Sequence, residues 1–166
     1  MTLTHKPFSV QIFLIDANPD GMLTAEIPFQ WTGHVLSFPR KDIKRVLERE
    51  EAQQPGIYLL VGEREEQKTL YVGKGGELLE HIKEQEQQEW WSTGVLLINQ
   101  EYPLSMLYLS YLQDQLRKKA ENGNKVILAN PLDVEPLRLD ESATVAMEGF
   151  LDKFIFVLLV LNFKFF

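Results

Sequence analysis

Gly56-Ile57-Tyr58 opens one short apolar run, and Tyr71-Val72-Gly73 closes another. A phenol held at a strand end can donate, accept or relay a proton, although tyrosine is also an ordinary sheet residue that packs on its neighbours. Lys74-Gly75-Gly76 follows at once, in the manner of an anion-binding turn before a helix, but without the spacing of a phosphate-binding P-loop. His81 then lies one helical turn from both Glu77 and Glu84, neighbours that favour the imidazolium form, and it reads equally as a surface histidine. Trp90-Trp91 offers ring faces for stacking on bases, or a cap that closes a helix end against the core. The other histidines, His5 and His34, lie far from His81 and from each other, with no H-E-x-x-H spacing. Cysteine is absent, which removes disulfides, thiolate catalysis and every zinc site built on cysteine pairs.

The elements that must position these groups follow from composition and periodicity. The 166 residues carry 17 Lys+Arg against 24 Asp+Glu, a net charge of −7, and 45% are hydrophobic. That is enough apolar material for a core, in one domain or one plus an appendage, and it excludes a disordered chain or a small disulfide scaffold. The acidic balance argues against a protein that coats nucleic acid. The basic clusters Arg40, Lys41, Lys44, Arg45 and Arg117, Lys118, Lys119 read as solvated helix faces.

Ser9 to Ile15 and Met22 to Ile27 read as a hairpin around Asn18-Pro19-Asp20-Gly21, and Gly33 to Phe38 as a third strand. Lys41 to Gln53 has helical spacing up to the Pro55-Gly56 break. Ile57 to Val61 is a central strand, Gly62 to Lys68 a polar turn, and Thr69 to Gly73 the return strand. Glu77 to Trp90 forms an acidic amphipathic helix and Val95 to Asn99 a buried strand. Leu104 to Glu121 is a long helix presenting Leu107, Tyr108, Leu112 and Leu116 inward, stopped by Asn122-Gly123. A connector from Asp133 to Glu141 leads to a last helix capped by Asp140 or Ser142. The fold class is α/β: a small mixed sheet flanked by helices and preceded by a β-hairpin extension. The organisation expected is an extension over 1–54, a main domain over 55–141, and a hydrophobic C-terminal helix and tail over 142–166.

With its two tyrosine motifs on adjacent strands, followed by helix, strand, helix and Asn130-Pro131, the segment from about Pro55 to Pro131 resembles the GIY-YIG nuclease superfamily. The resemblance implies that Tyr58 stands beside an attacking water, that Tyr71 positions a scissile phosphate, and that Gly73 lets the backbone turn tightly toward the next helix. It makes Gly56, Gly73, Lys74, Ser110 and Asn130 the binding set. Two charged positions depart from the family pattern: His81 stands where an arginine would offset phosphoryl charge, and Ser110 where a glutamate would hold a divalent cation. A hydroxyl does not replace a carboxylate on a hard cation, and Asp114, one turn beyond, is the substitute carboxylate.

The expectation is therefore a catalytically degenerate nuclease-like module that acts by binding a protein, or a nucleic acid, in a DNA-related or defence context. No cofactor is expected. The alternatives are an active endonuclease using Mg²⁺ or Mn²⁺ and a structural subunit of a larger assembly. Phe154, Phe156, Phe163, Phe165 and Phe166 make the tail a candidate docking or self-association surface. The apolar run Phe154 to Leu161 falls far short of the roughly 20 residues of a membrane span and is bracketed by Asp152, Lys153, Asn162 and Lys164. With no apolar secretory segment before Pro7, a cytoplasmic protein is expected.

Overall fold

The computed structural model describes residues 6–132 and 135–166, so His5 and the start of the connector at Asp133 lie outside the described residues. Among the described residues seven strands form one mixed sheet in the order β1-β2-β3-β6-β4-β5-β7. They are β1 (Gln11–Leu14), β2 (Leu23–Glu26), β3 (Gly33–Pro39), β4 (Gly56–Arg64), β5 (Gln67–Gly75), β6 (Trp91–Asn99) and β7 (Ile127–Leu128). All neighbours run antiparallel except β5 and β7. Pairing of β3 with β6, from Gly33↔Asn99 to Pro39↔Thr93, carries the N-terminal hairpin into the same sheet as the tyrosine strands.

Helices cover both faces, which is why β4 reads as an unbroken apolar run rather than an alternating one. Ile57, Leu59 and Val61 point into a core completed by α3 (Met106–Gly123) and α4 (Glu141–Val160). Tyr58 and Leu60 point the other way, into a core completed by α1 (Ile43–Leu47) and α2 (Leu78–Gln85). Ser105 caps α3 by accepting from Tyr108 N at 3.3 Å, and Asp140 caps α4 by accepting from Ala143 N at 2.8 Å. Among the described residues no helix is long and apolar enough to cross a membrane.

Several elements differ from the sequence reading. Lys41 to Gln53 is not one helix but a 3₁₀ turn at Arg40–Asp42, the five residues of α1, and a second 3₁₀ turn at Glu50–Gln53. Ile43, Val46 and Ala52 are the apolar residues of this stretch that the broken path buries. Helix α2 stops at Gln85, because Trp91 Nε1 and Arg40 turn to the carbonyls at its end, those of Gln85, Glu86 and Gln88. Trp91 is thus the closing residue, 1% exposed, and Arg40 is a cap rather than part of a solvated face. On α3 the inward stripe is Leu109, Tyr111, Leu112, Leu116 and Ala120; Leu107 is exposed and Tyr108 only half-buried. Leu112 and Leu116 face inward as expected, and the first turn differs in that Leu109, at i−3 from Leu112, continues that stripe. The helix also runs through Gly123 and ends on Asn124 in the left-handed conformation, φ 52°.

The expected turn Gly62 to Lys68 is instead mostly strand, because β4 and β5 pair all the way to Arg64↔Gln67. Only Glu65 and Glu66 remain in the loop, at φ 52° and 66°. A two-residue hairpin loop needs positive φ at both positions to match strand twist, and Asn-Gly meets that need without the Cβ strain two glutamates carry. Glu65→Asn combined with Glu66→Gly is expected to raise stability by about 1 kcal/mol in a urea titration. An unchanged or lower midpoint would show that the turn is held by something other than its backbone preference.

Candidate functional site

Register puts the two tyrosines on one face of the sheet. Tyr58 pairs with Gly73 and Leu60 with Tyr71, so residues 58, 60, 71 and 73 share the side covered by α2. The rings of Tyr58 and Tyr71 stack at 5.8 Å between centroids and 27° between planes. His81 comes down from α2 at 6.4 Å from Tyr58, tilted by 30°. The Tyr58 ring lies flat on bare backbone: a Cβ at Gly73 would sit 2.1 Å from its Cζ and 2.6 Å from its Oη. Gly75 gives the same room to His81, whose Cδ2 would be 2.4 Å from an added Cβ. Among the described residues no glycine has positive φ, so Gly73, inside β5, supplies space for a ring and not a sharp turn. Gly56 starts β4 against the carbonyl of Leu97.

Tyr58 is 2% exposed. Burial pushes its phenol pKa well up, and the neighbouring Tyr71 hydroxyl pushes it further, outweighing a hydrogen bond with Gln85. The group stays a neutral phenol throughout the physiological range, able to hydrogen-bond but poorly placed to take a proton from water.

The other sequence-derived residues belong to the opposite side. Lys74 pairs with Ile57 and reaches Gln113 Oε1 of α3 at 3.0 Å. Gln113, 6% exposed, donates in turn to Val72 O at 2.9 Å. Asn130 brackets the same residue, donating to Val72 O at 2.7 Å and accepting from Val72 N at 3.0 Å. It acts as one more rung beside the short β7 and fastens the chain after α3 to the outer edge of β5. Lys74 and Asn130 are therefore both occupied in structural bonds.

Ser110 and Asp114 lie on α3, the helix of that opposite face, and the Asp114 carboxylate accepts from Leu137 N at 3.0 Å. Among the described residues no group of three or more His, Asp or Glu side chains is placed to hold a metal ion. The donor set does not fit the divalent cation the nuclease resemblance implies: one serine hydroxyl and one carboxylate already spent on the connector are too few anionic oxygens.

A second polar cluster escaped the sequence reading. His34 Nδ1 lies 2.7 Å from Glu26 Oε1, and its Nε2 lies 2.9 Å from Glu51 Oε2. Arg49 donates to both oxygens of Glu51, at 3.1 and 3.0 Å. A cleft of about 640 Å³ opens beside the cluster, lined among others by His34, Arg49, Glu51 and Asn99. Linear spacing hides this cluster, but hairpin register would have found it in part. Ala25 pairs with Val35, so Glu26 falls opposite His34 on the next rung.

In comparisons with protein-family models, curated proteins and solved structures, nothing matches the chain.

Proposed function

We propose that the chain is a GIY-YIG-like module that binds a protein partner, in a DNA-related or defence setting, without cleaving phosphodiesters. The observation that carries this reading is Tyr58, sealed beneath α2 as a neutral phenol, with the rings of Tyr71 and the half-buried His81 beside it. Loss of one charge stabiliser costs about 10²- to 10³-fold in rate, and loss of the metal costs more. Glu77, Glu80 and Glu84 stand exposed on and beside α2, where they repel a phosphate backbone and suit a basic protein surface. Leu159 and Val160, 43% and 54% exposed at the end of α4, supply the apolar part of a contact or of self-association. One feature favours the competing reading of an active Mg²⁺- or Mn²⁺-dependent endonuclease: Tyr58, Tyr71 and His81 do stand together as such chemistry requires.

Digestion of plasmid and oligonucleotide substrates with each divalent ion, beside Tyr58→Phe, separates the two. The expected result is no cleavage by either protein. Metal-dependent nicking that disappears in Tyr58→Phe would overturn the binding reading.

A further inference from the structure

β1 forms one side of the sheet, and its outer edge is open. All four of its residues are exposed, with Ile12 at 39%, Phe13 at 62% and Leu14 at 37%. Ile15 N donates to Met22 O across the hairpin at 3.1 Å. Antiparallel neighbours alternate, so Gln11 and Phe13 also turn their backbone groups toward β2, while Ile12 and Leu14 turn theirs outward. Of these outward groups the Leu14 carbonyl accepts from Ala17 N at 3.1 Å, which leaves Ile12 N–H, Ile12 C=O and Leu14 N–H on the edge. Soluble proteins guard such an edge with lysine, proline or an inward charge. The run Val10 to Ile15 holds none of these, in a chain that is 25% charged. An uncharged run of strand formers at an open edge is a template for a further strand.

The side chains suit a strand as occupant. Ile12 and Leu14 lie on the α4 face of the sheet, where Ile12 pairs with the buried Ala25 and Leu14 with Leu23. A groove of about 370 Å³ lies there between the sheet and the end of α4, lined by Ile12, Leu14, Leu23, Val160 and Phe163 among others. Phe13 stands on the other face.

Charge selects the occupant. Lys6 precedes the strand and is exposed; Asp16 and Asp20 follow it, Asp16 shared with Arg45 and Asp20 exposed. An antiparallel second copy brings the basic flank of each strand to the acidic flank of the other, whereas a parallel one sets like against like. Between the flanks neither strand has a charge, so two chains of net charge −7 meet here without direct repulsion. We infer that the chain forms a symmetric dimer by antiparallel pairing of β1 with β1 of a second copy, with Ile12 on the two-fold axis. In that register the Ile12 N–H and C=O exchange with those of Ile12 in the second copy, and Leu14 N–H reaches the Val10 carbonyl. Aliphatic side chains then meet on the α4 face, Val10 against Leu14 and Ile12 against Ile12, and Phe13 covers Gln11 on the other. Like edge on like edge closes on itself, and the opposite edge, β7, is only two residues long, so assembly stops at two. The pairing is independent of whether the tyrosine face binds a partner or cleaves.

The test is sedimentation velocity of the full chain over a concentration series, beside single variants. The expected result is a species of two 19.3 kDa chains whose affinity falls about tenfold or more in Ile12→Lys, with the circular dichroism of the parent retained. Ile12→Pro is the second variant, because the N–H it removes points outward, so the contact between copies is lost and the hairpin bonds remain. Since the chain has no cysteine, Ile12→Cys reports the register: oxidation should join two copies across the axis, and Ile127→Cys, on the opposite edge, should not do so. A monomer at every concentration, a dimer indifferent to Ile12→Lys and Ile12→Pro, cross-linking as fast through Ile127→Cys as through Ile12→Cys, or open-ended aggregates in place of a dimer would each overturn the pairing.

Discussion

Gly73→Ala is expected to lower stability by about 2–3 kcal/mol, and to cost almost nothing once Tyr58 has been reduced to alanine. The added methyl would stand 2.1 Å from Tyr58 Cζ, well inside van der Waals contact. The ring has nowhere to go, because it is 2% exposed and shares its core with the fully buried Leu78 and Ile82 of α2. Overpacking a rigid interior costs on the order of 1–3 kcal/mol, and here a strand or α2 itself must shift. Tyr58→Ala alone should cost about 3–4 kcal/mol through the cavity it leaves. In that background a Cβ at position 73 enters empty space, and alanine is if anything the better strand residue. A double-mutant cycle by urea denaturation reads the coupling directly. Additive losses would mean that the ring does not rest on the Gly73 backbone, and the site as described would fail with it.

Phe165→Ala is expected to be more damaging still, with a loss of about 3–4 kcal/mol. Read from the sequence, the phenylalanines of the tail form a sticky surface. In the structure Phe154 and Phe165 are both 0% exposed and complete the core beneath α3 and α4. Phe165 also carries Lys68 Nζ over its ring at 5.1 Å and meets Phe166 edge to face at 5.8 Å. For a chain of this size, 1 kcal/mol corresponds to about 2–4 °C in Tm, so thermal unfolding should show a fall of about 10 °C. A variant that melts like the parent but has lost a dimer would return Phe165 to the surface role. At the end of α4 it is Leu159 and Val160, not Phe165, that stand exposed.

The tyrosine hairpin was legible because each of its strands announces itself locally. Ile57 to Val61 and Thr69 to Gly73 are short apolar runs bounded by glycine, and strand pairing then leaves few registers. The order β4, β5, α2, β6, α3 was legible for the same reason, as was a cap at Asp140 or Ser142, between which the structure chooses Asp140. What remained hidden depends on partners distant in sequence. Lys74 and Gln113 are 39 residues apart, Val72 and Asn130 are 58 apart, and His34 and Glu51 are 17 apart across an irregular turn. No periodicity encodes such distances, because they are set by how the layers pack.

Local preference, which needs only neighbours along the chain, was enough to name the α/β class, the strands that carry Tyr58 and Tyr71, and the helix that follows them. Packing chose the rest. It turned Tyr58 inward, spent Asp114 on the connector, drew Phe154 and Phe165 of the tail into the core and enclosed His34 between two carboxylates. Side-chain burial and charge pairing are properties of three-dimensional proximity, and folding alone creates it.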